Sequence, residues 1–404
     1  MSIRIIIDIV GLLLWFIMAG NVFYILFFAL ASLLPKRTCQ ESSTTHQPSG
    51  TNSQPYYLIL FPAYQEDAVI LHSVTSFLQQ DYPKERYQVV VISDNMSQEA
   101  NDQLSALPIT LIHPNYENSS KAKALQLAMQ QSSKADYVIV LDADNIVAPD
   151  FLTQLNLIAS PDIAIQCHRT AKNVNNDIAA LDGLSEEINN SIFRKGHNRI
   201  GMSSALIGSG MCFSYDWFKE EVSKLNSAVE DRELEALLMK QRIYIHYADD
   251  ILVLDEKVSS DDNFQRQRLR WMTGQVQALF RMLPYVPKAI ITGNINYIDK
   301  TIQQALIPRS ILLFIIPMFG ILSTIIYSIS SHTSHFVYLK WWFLFALIIL
   351  ALYCAIPKSL RTKALFKKTL SMPKLVWRLT QNIVQIKPKN KDFIHTQHHQ
   401  SELA

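Results

Sequence analysis

The sequence has few cysteines, and they form no motif. Cys39, Cys167, Cys212 and Cys354 are scattered along the chain, and no two of them have C-x-x-C spacing. Zinc sites and disulfide scaffolds need cysteines at characteristic spacings, so neither is predicted. Unpaired thiols of this kind fit a reducing compartment.

Two further absences limit the function. The chain carries 37 basic and 35 acidic residues, a formal net charge of +2, so no broad basic face indicates nucleic-acid binding. No glycine-rich phosphate loop follows the first predicted strand, where residues 62–66 read Pro-Ala-Tyr-Gln-Glu. This disfavours a dinucleotide-dependent enzyme and a P-loop enzyme.

Hydrophobic residues make up 49% of the chain and concentrate at its two ends. Residues 9–34 are almost entirely apolar and long enough to span a bilayer. A secretory signal is the alternative, since residues 29–31 resemble a cleavage site, but the apolar run is longer than an ordinary signal core. Lys36 and Arg37 follow it directly. We therefore predict a retained N-terminal anchor over residues 1–37.

Two more spans are predicted within residues 307–357. Residues 283–306 before them mix Pro, Lys, Tyr and Ile, which suits an amphipathic segment in the membrane interface. Basic residues follow the last span in the tail, residues 358–404. The three spans predict a multi-pass protein of the inner or plasma membrane. By the positive-inside rule, its N-terminus would lie outside, and its middle domain and tail in the cytoplasm.

After a Ser-, Thr- and Gln-rich linker at residues 38–55, strand-like and helix-like segments alternate. The first strands are predicted at 57–61, 88–92, 109–113 and 137–141, and the first helices at 67–79, 97–107 and 121–131. Further strands are predicted at 163–167, 243–246 and 251–254, and further helices at 177–196, 229–240 and 263–282. Such alternation implies parallel strands with right-handed crossovers. The predicted class is α/β with a mostly parallel sheet.

The fourth predicted strand ends in two carboxylates. The apolar run Tyr137–Leu141 suits a strand buried on both faces, and Asp142 and Asp144 follow it. Side chains two residues apart on an extended chain point the same way, and ligands bind outside the carboxyl ends of such strands. The pair therefore suits Mg²⁺ or Mn²⁺ holding a diphosphate. An acidic turn without function explains this stretch alone equally well.

Other candidate residues also have two interpretations each. Asp94 follows the second strand and either accepts hydrogen bonds from a base or ribose or is an ordinary turn residue. Lys121 opens a helix and either reaches a phosphate or is a surface lysine. Paired glycines between Ile207 and Met211 interrupt the pattern and let the backbone approach a ligand closely.

The last candidates lie on two predicted helices. Glu230 and Asp231 begin a helix, where acids are favoured by the dipole, or they supply a general base for an acceptor hydroxyl. Gln267 and Arg270 share a helical face, where Arg270 can stabilise a departing diphosphate. Trp271 offers a flat surface to a sugar ring. The alternative is a basic interfacial helix.

In this order the motifs resemble family 2 glycosyltransferases with a GT-A fold. The chain is most similar to the membrane-embedded synthases of cellulose, chitin, hyaluronan and poly-N-acetylglucosamine. The resemblance covers residues 56–274 and rests on Pro62-Ala63-Tyr64-Gln65-Glu66, Asp94, Lys121, Asp142-Ala143-Asp144, Gly208-Ser209-Gly210, Glu230-Asp231 and Gln267-x-x-Arg270-Trp271. A lone D-x-D is weak, but this ordered set between membrane spans is specific.

The resemblance implies a Rossmann-like GT-A domain over residues 56–282 and an inverting transfer from a nucleotide-sugar, here UDP-N-acetylglucosamine or UDP-glucose. It implies a donor site made of Pro62, Tyr64, Glu66, Asp94, Lys121, Asp142 and Asp144. Asp144, with Asp142, would hold a divalent metal. Asp231 would be the base, supported by Glu230. The acceptor and the diphosphate would be held by Gly208, Ser209, Gly210, Gln267, Arg270 and Trp271.

The chain departs from the family pattern in places. Ser93, Ser120 and Val229 stand where an acid, a glycine and a threonine are usual. Two C-terminal spans are fewer than a translocation channel usually has, so processive export requires a homo-oligomer or an accessory export subunit.

Several functions compete on these residues. The first is polysaccharide synthesis, and the second is transfer of one sugar to a lipid acceptor. A non-catalytic membrane sensor of nucleotide-sugars is disfavoured because the acids and Arg270 are all present. A phosphatase is disfavoured because no further nucleophile pattern appears.

Overall fold

The computed structural model describes residues 3–36, 54–173, 176–227, 229–257, 261–329 and 336–362. The chain divides into two compact units. The larger unit holds the described parts of residues 36–183 and 201–304, and the smaller unit holds those of residues 1–35, 184–200 and 305–386. Most of the predicted linker and most of the predicted tail lie outside the described residues.

The larger unit is built on a mixed sheet with the strand order β3-β2-β1-β4-β7-β6-β8-β5. In chain order, β1 to β8 are Tyr57–Tyr64, Tyr87–Asp94, Thr110–Ile112, Tyr137–Val140, Ile146–Val147, Ile163–Ala171, Met211–Ser214 and Tyr244–Asp255. Strands β3, β2, β1 and β4 pair in parallel, as do β6 and β8. Strand β7 runs antiparallel to both β4 and β6, and β5 runs antiparallel to β8.

Strands β1 and β4 are buried on both faces over most of their length because nearly all of their residues are apolar. Along β1, Leu58 and Leu60 join one core cluster, while Ile59 and Phe61 join the other. This split follows from the two-residue period of an extended chain. Helices cover both faces, as expected for a largely parallel sheet.

In chain order, α1 to α14 are Ile3–Ala31, Ile70–Phe77, Gln98–Ser105, Lys121–Gln131, Phe151–Asn156, Asp177–Asn189, His197–Arg199, Tyr215–Val222, Glu230–Lys240, Asp261–Met282, Val286–Ile291, Ile295–Ala305, Arg309–Ile329 and Phe336–Ala355. A π-helix, Asn190–Gly196, joins α6 to α7. Short 3-10 turns cover Lys84–Arg86, Leu283–Tyr285 and Lys358–Leu360. Ser120 caps α4, because its hydroxyl accepts from the Lys123 N–H at 3.2 Å.

The predicted α/β class with a mostly parallel sheet is confirmed, since four of the seven strand pairings are parallel. The two short strands predicted at 243–246 and 251–254 were wrong, because β8 is one strand. Its pairing with β6 shifts register between Cys167 and His168, which oppose Ala248 and Leu252. Strand β7 was missed because the glycines before Met211 look like a break in the pattern.

The strand ends that carry the candidate site residues lie at one edge of the sheet. The carboxyl ends of β1, β2, β4, β6 and β8 all lie there, because β7 is antiparallel to both β4 and β6. For the same reason, the amino end of β7, preceded by Gly208–Gly210, reaches this edge.

In the smaller unit, three helices are long and apolar enough to cross a membrane: Ile9–Ala31, Arg309–Ile329 and Tyr338–Ala355. The first packs closely on the π-helix: a Cβ on Gly196 would lie 2.3 Å from the Phe28 carbonyl oxygen. The Phe28 ring stacks on His197 at 3.5 Å between centroids.

Candidate active site

The acidic pair after β4 is held in a tight turn. The Asp142 N–H donates to Asn145 Oδ1 at 3.0 Å and to Ser209 Oγ at 3.2 Å. Asp144 is buried, and its two carboxylate oxygens accept from the Asn145 side-chain amide at 3.2 Å and from the Glu256 N–H at 2.8 Å. Asp142 is the more open of the two, with its side chain 30% exposed.

Lys121 connects this turn to the other predicted motifs. Its ammonium pairs with Asp142 Oδ1, donates to the Gly208 carbonyl at 2.6 Å and lies 3.3 Å from Glu230 Oε1. Burial lowers the pKa of Lys121, but the carboxylates of Asp142 and Glu230 outweigh that effect and hold the pKa above its usual value. The residue is therefore a charged centre of the site and not a surface lysine.

Glu230 and Asp231 begin α9 beside this centre. Burial raises the pKa of the Glu230 carboxyl, Lys121 opposes this, and the neighbouring Asp231 adds to it. Asp231 Oδ1 accepts from the Arg232 N–H at 2.9 Å. A Cβ on Gly208 would lie 3.8 Å from Asp231 Oδ2 and from Glu230 Oε1, so the glycine turn faces both acids.

The turn Gly208–Gly210 requires its glycines. Gly208 has φ +89° and Gly210 has φ +64°, in the left-handed region that L side chains avoid. A Cβ on Gly210 would also meet Val253 Cγ2 at 2.9 Å. Gln166 holds the turn, since its amide donates to the Ser209 carbonyl at 2.8 Å and its carbonyl accepts from the Ile207 N–H at 2.9 Å.

A buried ionic cluster at the ends of β6 and β8 was missed from the sequence. Arg169 lies 3.7 Å from Asp142 Oδ2 and 3.7 Å from Asp255 Oδ1, and Lys257 lies 2.7 Å from Asp255 Oδ2. Burial, assisted by Arg169, lowers the pKa of Lys257 to about 7. Polar residues inside or just after apolar strands were the available signal, but the sequence does not reveal that both strands end beside Asp142.

The remaining residues predicted to bind the sugar donor lie in or just after the last residues of β1 and β2. Pro62 lies within β1, opposite Ile92, while Tyr64 at its end is in register with Asp94. Burial raises the pKa of Asp94, with the hydroxyls of Ser119 and Tyr116 acting against it.

Glu66 lies just beyond the end of β1. The side chain is buried, and the Glu66 N–H donates to Met96 Sδ at 3.2 Å. The two strand ends thus form a polar patch on the same sheet edge as Asp142.

The Q-x-x-R-W motif lies on α10. Gln267, Arg270, Trp271 and Gly274 share one helical face. At Gly274 that face meets Val229, the residue before Glu230: a Cβ there would lie 2.3 Å from Val229 Cγ1. In the described part of the chain, Gln267 Oε1 is buried without a hydrogen-bond partner. Buried acceptors are usually paired, so this oxygen is a candidate for contact with a bound group.

The structure thus brings Lys121, Asp142, Gly208 and Glu230 into direct contact and connects Asp144 and Ser209 to them through Asn145. Asp231 adjoins this group, while α10 approaches it at Val229. No cluster of three or more His, Cys, Asp or Glu side chains able to hold a metal occurs among the described residues.

Comparison with known proteins gives a family match. The family model described as "Glycosyltransferase like family 2" matches residues 55–274. An N-acetylglucosaminyltransferase of Sinorhizobium fredii is 23% identical over 304 residues, covering 69% of this chain and 71% of that protein. A probable glucomannan 4-beta-mannosyltransferase 14 of Arabidopsis thaliana is 25% identical over 245 residues, 55% of this chain and 45% of that protein.

A probable glycosyltransferase, YdaM of Bacillus subtilis, is 28% identical over 98 residues, 22% of this chain and 23% of that protein. The chain therefore spans less than half the length of the latter two relatives. Among solved structures, the mannosyltransferase PcManGT from Pyrobaculum calidifontis, in complex with GDP-Man and Mn²⁺, superposes with a TM-score of 0.53 at 14% identity. That likeness covers 92% of this chain and 98% of the other, and it shows the fold.

Proposed function

Because the chain belongs to glycosyltransferase like family 2, whose model matches residues 55–274, we propose that it is a membrane-bound inverting transferase. It would move a sugar from a nucleotide-sugar to a growing polysaccharide or glycan. The observation that carries the proposal is the contact of Lys121 with Asp142, Gly208 and Glu230. Lys121 and its three partners come from four separate motifs. An acid that served only in a turn or as a helix cap would not need to contact a lysine shared with the other motifs.

The proposed reaction is a single displacement. Asp231 removes the proton from an acceptor hydroxyl at the turn Gly208–Gly210, and that oxygen attacks the anomeric carbon of the donor sugar. Arg270 and Gln267 on α10 stabilise the diphosphate as the bond to the sugar breaks. The Glu230 carboxyl, whose pKa is raised, and the Lys121 ammonium set the electrostatic environment of Asp231.

The two carboxylates after β4, the more open Asp142 and the buried Asp144, support a divalent metal as cofactor. Mg²⁺ is usually held by one or two carboxylates together with substrate phosphates, and Mn²⁺ accepts similar oxygen ligands. Asp142 and Asp144 would supply those carboxylates, with Asp144 as the main ligand. Such an ion, when bound, would neutralise charge on the leaving diphosphate.

The donor nucleotide is the open part of the proposal. The name of the Sinorhizobium fredii relative supports UDP-N-acetylglucosamine, and UDP-glucose is the neighbouring choice. The names of the Arabidopsis thaliana relative and of the Pyrobaculum calidifontis structure support a mannose donor instead. Asp94, buried at the end of β2, would accept a hydrogen bond from the base or ribose in either case.

The three apolar helices support a multi-pass arrangement in the inner or plasma membrane. Lys36, Arg309 and Arg361 beside these helices support a cytoplasmic catalytic domain and tail and an outer N-terminus. Exposed Ile290, Ile291, Ile295 and Ile302 support an interfacial position for residues 283–306.

A second candidate is transfer of one sugar to a lipid acceptor. It is favoured by the small membrane portion, with three apolar helices of spanning length in the described chain. Polymer export would require association with further copies or with another subunit.

The test is a donor screen on the purified full-length chain in detergent. UDP-N-acetylglucosamine, UDP-glucose and GDP-mannose are each supplied with Mn²⁺ or with EDTA, and nucleotide release is measured. We expect release from one of the UDP-sugars, dependent on metal, and loss of the metal stimulation in Asp144→Ala.

Labelled donor then separates long products from single-sugar lipids. Nucleotide release from any donor would exclude the hypothesis of a non-catalytic sensor. Absence of release from every donor contradicts the proposal, and metal stimulation that persists in Asp144→Ala moves the metal ligand elsewhere.

A further inference from the structure

Two buried side chains of opposite charge, Glu235 and Lys300, lie on α9 and α12. The Glu235 side chain is 3% exposed, and the Lys300 side chain is completely buried. Burial raises the pKa of the Glu235 carboxyl, and the Lys300 ammonium is the strongest opposing influence. Lys300 Nζ also lies 3.5 Å from Asp299 Oδ2, so its charge compensates the Asp299 carboxylate as well as opposing the burial of the Glu235 carboxyl.

Glu235 also holds the glycine turn. Its Oε2 accepts from the Leu206 N–H at 2.8 Å, two residues before Gly208. Glu235 lies four residues after Asp231, so the two carboxylates project from the same face of α9. Glu235 therefore links α9, which carries the proposed base, to the turn that faces it.

Helix α12 makes two further contacts with the site elements. Arg232 donates to Gln304 Oε1, and the Arg232 N–H is the donor to Asp231. Gln275 on α10 donates to the Gln304 carbonyl at 3.1 Å. The inner face of α12 thus holds α9 beside Asp231 and α10 beside the Q-x-x-R-W motif.

We propose that Glu235 and Lys300 are positioning residues, which keep Asp231 at a fixed separation from the turn Gly208–Gly210 so that an acceptor hydroxyl meets the base. This inference rests on the proposed transferase function. Glu235 bonds Leu206 and Lys300 pairs with Asp299, so we expect their loss to affect transfer and leave donor binding intact.

The experiment compares Glu235→Gln, Lys300→Met and the double variant with the wild type in the full-length chain. Glutamine keeps an acceptor for the Leu206 N–H but removes the charge. Each single variant should lower kcat by about 10- to 100-fold, since small misplacements of a catalytic group have effects of that size. The donor Kd should stay within about twofold. The double variant should lose less kcat than the two single losses added together, because it removes both opposing charges and leaves Asp299 as the remaining carboxylate.

Glu221→Gln is the matched control. Glu221 is also buried and pairs with a lysine, Lys224 at 2.7 Å, but it lies on α8. It should leave kcat unchanged. Hydrogen exchange of amides 203–210 is measured in every variant and should be faster in both single variants.

Three results would overturn the inference: single variants with wild-type kcat, a donor Kd that weakens as much as kcat falls, or unchanged exchange at amides 203–210. A wild type that releases no nucleotide would be a failure of the proposed function. The exchange measurement is independent of turnover and still decides whether the pair holds the turn.

Discussion

The two halves of the sheet build the site in different ways. In the half with order β3-β2-β1-β4, consecutive parallel strands place Tyr64, Asp94 and Asp142 at or just after their carboxyl ends. In the half with order β7-β6-β8-β5, strands distant in sequence meet through an antiparallel strand and a register shift. There the site consists of a glycine turn with buried polar and ionic contacts.

The difference indicates a division of labour in the proposed reaction. The parallel half would present polar groups to a donor directly from strand ends. The mixed half, with α9 and α10 attached, would hold the proposed base and the acceptor side in place. Substitutions in one half should therefore change one property and spare the other.

The largest effect should come from Asp231→Asn. Removing a general base typically slows a reaction by about 10²- to 10⁴-fold, so nucleotide release in the presence of acceptor should fall by that factor. Donor binding, which we assign mainly to the parallel half, should be unchanged in a titration. Asp250→Asn is the control, because that side chain is 77% exposed on the irregular part of β8. Normal turnover in Asp231→Asn would remove this residue from the role of base.

The two glycines of the turn should separate stability from activity. Gly210→Ala forces a Cβ to within 2.9 Å of Val253 Cγ2 at φ +64°, so we expect a loss of about 2–4 kcal/mol from overpacking and backbone strain. Gly208→Ala has the strain without the overlap, since its Cβ would lie 3.8 Å from Asp231 and Glu230.

Gly208→Ala should therefore lower the midpoint of thermal unfolding less than Gly210→Ala, and it should lower turnover by putting a methyl group where the acceptor approaches. Thermal unfolding and nucleotide release on both variants check this. Equal losses of stability would mean that strain alone governs the turn.

The smallest effect concerns the pH dependence of Asp94 in the parallel half. Burial raises the folded-state pKa of this carboxyl above 3.8, so ionisation is disfavoured by the fold. The wild type should therefore lose stability relative to Asp94→Asn as pH rises from about 3.8 through the folded pKa, with no further change above it. Thermal unfolding of both proteins between pH 4 and 7.5 tests the sign. A difference that is constant across this range would contradict it.

The parallel half could be predicted from the sequence because its signals are local. Runs such as Tyr137–Leu141 and Gln88–Ile92 are rich in β-branched residues, and each leads to a polar turn. Since consecutive strands in such a pattern are parallel, the common edge of Asp94 and Asp142 follows without knowledge of the tertiary structure.

The mixed half could not be predicted in the same way. Strand β7 has four residues, and its direction depends on pairing with two strands that precede it by tens of residues. Without that direction, nothing in the sequence brings Asp255 or Arg169 to Asp142, or Glu235 to Leu206. The buried charge pairs follow from tertiary contacts alone, whereas the ordered motifs followed from residue type and spacing.

Helix α12 limits where the chain can be truncated. Its outer face carries Ile295 and Ile302, and its inner face carries the buried Lys300. A fragment ending at Met282 would keep every recognised motif yet lose the hydrogen bonds that Arg232 and Gln275 make to Gln304. We therefore expect a stable fragment of the larger unit to extend at least to Gln304, and its solubility to depend on replacing the outward isoleucines with polar residues.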